Sequence, residues 1–184
     1  MSRRHQIFQA ARILSHRLGQ AEVAHAFHGG FLATLLGVPR DTEELFCIVD
    51  RGFLSIRDAL NEVENFTTVS STWSNRMFAT YAEPIPPVEI EIVQAGEGGP
   101  RQLNQTTIQI LDDVPFLSPT EFLRAKIRAW AISAQAEDAT DIAYVLARYW
   151  SVIDINRIPD DMERFVQTYP QSAPSWQALQ ARYE

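Results

Sequence analysis

A chain of 184 residues, 46% apolar and 21% charged, with ten Phe and four Trp, suits one ordinary globular domain or one domain with a helical appendage. Its net charge of -7 argues against a surface that grips nucleic-acid backbone, while a local basic pocket for a small anion stays compatible with it. A lone cysteine, Cys47, excludes an internal disulfide and suits a reducing compartment.

In chain order, Met1-Ser2-Arg3-Arg4 leads into no apolar run, so no secretory signal is expected. No apolar stretch approaches the ~20 residues of a membrane span, and cytoplasmic residence is the expectation. Ile7, Phe8, Ala11, Ile13, Leu14 and Leu18 recur at helical spacing over residues 5–18, with Gly19 as the stop. Val23 to His28 is short and extended and ends at Gly29-Gly30. Phe31 to Leu36 is an apolar helical run closed by Gly37.

Glu44 to Asp50 reads as a buried strand, and Leu54 to Val63 as an amphipathic helix. Residues 66–69, 77–81 and 88–93 are rich in β-formers, and Thr107 to Leu111 adds one more strand. Ser118-Pro119-Thr120-Glu121 starts a helix, with a Ser cap, Pro in the first turn and Glu in capping-box position. Helical pattern continues to Trp150, broken near Ser133 to Glu137. Two shorter helices, at 159–168 and 174–183, follow. The order predicts an α+β fold, a mixed sheet of about five strands flanked by helices. An α/β core over 1–117 carries a C-terminal helical segment over 118–184, the two forming one unit.

Candidate chemistry starts at the glycine pair. Two glycines at a strand-to-helix turn let backbone approach a ligand, and the helix start offers N–H groups to phosphate; the same pair also fits a plain tight turn. On an extended chain Glu44, Phe46, Ile48 and Asp50 share one face, and Glu89 and Glu91 share a face of their own strand. Carboxylates from neighbouring strands can converge on Mg²⁺, a cation that prefers oxygen ligands. Acids alternating with Ile and Val equally mark the wet side of a half-exposed strand. Fifteen of the sixteen basic residues are Arg, and Lys126 is the single lysine. That balance favours planar, bidentate partners such as phosphate, and each arginine equally suits an ordinary ion pair. Cys47 sits among Phe and Ile as a core thiol does. His25 and His28, three apart on an extended segment, make no metal pair. Asp138 and Asp141 are neighbours on a helix and suit caps or arginine partners.

Taken together, these segments resemble the nucleotidyltransferase (DNA polymerase β-like) superfamily, in the flavour of small single-domain proteins related to AbiEii-type toxins. Gly29-Gly30 through Gly37 and Arg40-x-Thr42-x-Glu44 resembles that family's Gly-Gly helix and Arg-x-Thr-x-Asp-x-Asp strand. Val88-Glu89-Ile90-Glu91-Ile92 resembles the strand bearing the third acid. Leu123-x-x-Lys126-x-Arg128 followed by Asp138-x-x-Asp141-Ile142 resembles the toxins' helical segment. The resemblance implies a nucleoside triphosphate, or another anionic small molecule, as ligand. Gly29, Gly30, Arg40 and Thr42 would sit near the phosphates, Mg²⁺ would lie on Glu44, Glu89 and Glu91, and Glu44, Glu91 and Lys126 would form the catalytic set. The second acid of the family's Asp-x-Asp is Phe46 here, which has no lone pair to give. The resemblance therefore implies weakened metal-dependent transfer. It also leaves open a non-catalytic scaffold with a protein partner, and a cleft adapted to acid/base work by Glu44, Glu89 and Glu91.

Overall fold

The computed structural model describes residues 1–70 and 75–184. It is an α+β fold with a seven-stranded mixed sheet. Its elements are α1 (Arg3–Gln20), β1 (His25–His28), α2 (Gly30–Leu35), β2 (Phe46–Val49), α3 (Phe53–Leu60), β3 (Phe66–Ser70), β4 (Arg76–Tyr81) and β5 (Val88–Gln94). Then come β6 (Ile108–Leu111), β7 (Val114–Leu117), α4 (Pro119–Ser133), α5 (Ala136–Tyr149), α6 (Asp161–Thr168) and α7 (Ala173–Ala181). Strand order is β3-β4-β5-β2-β1-β7-β6, which puts β2 at the centre between antiparallel β1 and parallel β5.

One face of the sheet is closed by α1. Its apolar stripe places Ile7, Ala11, Leu14 and Leu18 out of water, and Phe8, Phe27 of β1 and Phe116 of β7 pack ring against ring. Cys47 lies on this inner side, fully buried, and burial pushes its thiol pKa far up, so it is an apolar filler. The C-terminal helices enclose a separate apolar cluster of Leu123, Ile127, Trp130, Ile142, Phe165 and Leu179. No helix among the described residues is long and apolar enough to cross a membrane.

The sheet has more than the five or so strands expected. The strand missed in the sequence is β7, the return arm of a hairpin whose two-residue turn is Asp112-Asp113. Both aspartates adopt positive φ (47° and 64°), the mirror-image turn that follows strand twist and usually announces itself with Asn-Gly. Pro115 sits within the arm opposite Ile110, and proline normally demotes a strand assignment. At the start of α4, Ser118 Oγ accepts from the Glu121 N–H at 3.3 Å, as a cap should. The Glu121 carboxylate does not return to Ser118; it is buried against Arg124 and Arg157.

Candidate functional site

Register fixes the centre of the site. Phe46 pairs across β2–β1 with His28 and across β2–β5 with Glu91, so the three lie in one row and on one face of the sheet. Above that row is a cleft of about 370 Å³. Besides the row, Gly29, Glu44, Arg76 and Gly98 line it, and Lys126 and Asp138 reach it from α4 and α5.

Phe46 occupies the middle. Its ring stacks on the His28 imidazole, with centroids 5.1 Å apart. It also lies against the Gly29 backbone so closely that a Cβ there would fall 2.6 Å from Phe46 Cδ2. Gly29 has φ 95° and ψ −165°, a region that is essentially glycine's alone. Gly30 is glycine for space: a Cβ would meet Thr42 Oγ1 at 2.5 Å.

The donors at the start of α2 are already engaged by Glu44. The Gly30 N–H donates to Glu44 Oε1 at 3.2 Å, and the Phe31 N–H donates to the Glu44 backbone carbonyl at 2.9 Å. A phosphate there would have to displace the carboxylate. Thr42 supports the same loop, its Oγ1 accepting from the Glu44 N–H at 3.2 Å.

Most other charges in the cleft are paired. Arg76 reaches Glu91 at 2.5 Å. Lys126 Nζ donates to Asp138 at 3.0 Å and lies 3.2 Å from Asp141, whose side chain is fully buried. Arg40 grips the same Asp141 as a fork, at 3.0 and 2.8 Å. Asp141 thus ties the loop before β2 to both long helices. Its hydrogen bond holds the Arg40 pKa above the usual arginine value, against the cost of burial. Arg40 and Thr42 lie outside the cleft lining.

Of the acids expected to hold metal, Glu44 and Glu91 line the cleft. Glu89 lies two residues earlier on β5, exposed opposite Thr80 and outside the cleft lining. Among the described residues no group of three His, Cys, Asp or Glu side chains is arranged around one ion position. With Glu44 on the α2 backbone, Glu91 on Arg76 and a hydrocarbon ring between them, this donor set does not fit two-metal chemistry.

His28 is the residue that reading the sequence passed over. Its Nε2 is buried with no hydrogen-bond partner among the described residues. Burial, reinforced by the Lys126 charge, pushes its pKa down to about 3, so the imidazole is neutral. Its signal was the alternation that puts it on the Phe46 face. His25, pointing the other way, is a satisfied core histidine between Ser15 Oγ and the Val23 carbonyl, both at 2.8 Å; burial lowers its pKa too.

No protein-family model matches the sequence, and no curated protein matches it either. Solved structures do match. The fold is similar to an antigenic nucleotidyltransferase-like protein from Paracoccidioides brasiliensis, with TM-score 0.69 and 18% identity over 95% of this chain and 93% of that one. A candidate nucleotidyltransferase from Helicobacter pylori superposes with TM-score 0.60 and 14% identity, over 97% of this chain and 83% of its own. A further H. pylori protein gives 0.62 and 11%, over 100% and 96%. The architecture is nucleotidyltransferase-like.

Proposed function

From the nucleotidyltransferase-like fold, we propose that this chain binds a nucleotide or a similar anionic small molecule in the cleft above Phe46 and does not carry out two-metal nucleotidyl transfer. The observation that carries the reading is the row His28–Phe46–Glu91, with an aromatic ring where the superfamily's second metal-binding acid is expected. The stacked Phe46 and neutral His28 offer a flat platform to a planar ring, and ring stacking of this kind contributes about 1–3 kcal/mol per base. Arg76 and Lys126 supply positive charge beside it, each already shared with a carboxylate.

Thermal shift with ATP, GTP, CTP and UTP, each with and without Mg²⁺ or Mn²⁺, tests this directly. A nucleotide should raise the melting temperature without needing the metal, and Phe46→Ala should abolish the shift. Silence with every nucleotide would remove the binding reading. A shift that requires metal and disappears in Glu44→Gln and Glu91→Gln would instead support the second reading, a working transferase on a reduced donor set, favoured by the shared cleft of Glu44, Glu91 and Lys126. Under the first reading, transfer activity appears only after Phe46→Asp.

A further inference from the structure

Past the Gly96–Gly99 loop, the groove along α4 opens into a basin of about 570 Å³. Four arginines face it: Arg101 after the loop, Arg124 and Arg128 one turn apart on α4, and Arg157 from the segment before α6. The remaining lining is neutral, with Asn104, Thr106 and other polar side chains. One carboxylate stands behind this wall. Glu121, 2% exposed, pairs with Arg124 at 3.4 Å and with Arg157, and holds both guanidiniums in place. Arg101 and Arg128 make no ion pair and no side-chain hydrogen bond among the described residues. The Gly96 N–H, donating to the Pro100 carbonyl at 3.0 Å, closes the loop that positions Arg101.

Four guanidiniums, set against Glu121 behind them and Glu97 on the adjoining recess, leave a local positive field on a chain of net charge -7. Two of them are pre-oriented and two are free, an arrangement that accepts several oxyanions at once through planar, bidentate contacts. A smaller recess of about 280 Å³ shares Gly98, Ala125 and Ala129 with the cleft, and Gly96, Arg124 and Arg128 with the basin, and so lies between the two.

We infer that the Arg101–Arg124–Arg128–Arg157 basin is a second anion site, distinct from the Phe46 cleft, for a ligand bearing consecutive phosphoryl groups. The inference stands independently of what the cleft binds. Isothermal titration of the full chain with inorganic tripolyphosphate at low ionic strength tests it. The expected result is saturable binding that weakens roughly tenfold or more in the Arg101→Gln/Arg128→Gln double variant. Arg101→Lys/Arg128→Lys, which keeps charge but loses the fork, should fall between. Phe46→Ala should bind as the parent does, which separates this site from the cleft. A distant exposed pair on α1, across the sheet from α4, Arg4→Gln/Arg12→Gln, serves as the charge control. The inference is overturned by an absence of saturable binding, by the Arg101/Arg128 variants binding like the parent, or by the distant pair weakening binding equally.

Discussion

The cleft and the arginine basin lie along the same helix and use the same kinds of charge for opposite ends. In the cleft, Lys126 and Arg76 answer Asp138, Asp141 and Glu91. In the basin, Arg101 and Arg128 are answered by nothing on the described chain, and Glu121 serves only to aim their two neighbours. Charge that is paired and buried holds elements together; charge left unpaired in a concave wall is available to a ligand. Sequence position does not distinguish them, since Lys126 and Arg128 are two residues apart on α4.

Breaking the paired side should have the largest effect. Asp141→Ala leaves Arg40 and Lys126 without their shared buried carboxylate, and should cost about 3–5 kcal/mol in denaturant unfolding. A loss near zero would show that the network holds nothing. Next comes Gly29→Ala, which forces a side chain into a glycine-only backbone region and into the Phe46 ring; a cost of about 1–3 kcal/mol is expected. Adding Phe46→Ala should recover only the steric share, because the backbone strain remains.

A further effect is graded by pH and accumulates across the acid range. His28 has a folded pKa of about 3 against an ordinary 6.5, so between those values the unfolded chain binds more protons. Stability is therefore fully present above about pH 6.5 and falls as pH drops toward 3, by up to about 1.4 kcal/mol per pH unit. His28→Gln should flatten the curve of melting temperature against pH. Some slope should persist from His25, lowered in the same direction. The smallest change belongs to the basin: Arg101→Gln and Arg128→Gln should each alter stability by no more than about 0.5 kcal/mol, measured in the same unfolding experiment.

Local pattern carried the helices and most strands. The apolar spacing of residues 5–18 falls within α1, and Ser118 does cap α4. The β6–β7 hairpin escaped because two aspartates do a turn usually given to Asn-Gly, and because Pro115 argues against a strand. Within the site, Glu44, Glu91 and Lys126 line one cleft, an arrangement suggested by motif order alone. Arg40 illustrates the limit. Its partner Asp141 is 101 residues away, and no spacing rule reaches that far. The basin had one local sign, Arg124 and Arg128 four apart on a helix face, but Arg101 and Arg157 join them only through the fold.

The single lysine and the single thiol are both turned inward: Lys126 is clasped by two carboxylates and Cys47 is sealed in the core. The thiol is thereby withheld from solution, whereas the Lys126 ammonium keeps a side open to the cleft. An alkylating reagent should label Cys47 only as fast as α1 lifts from the sheet, so the rate times that opening.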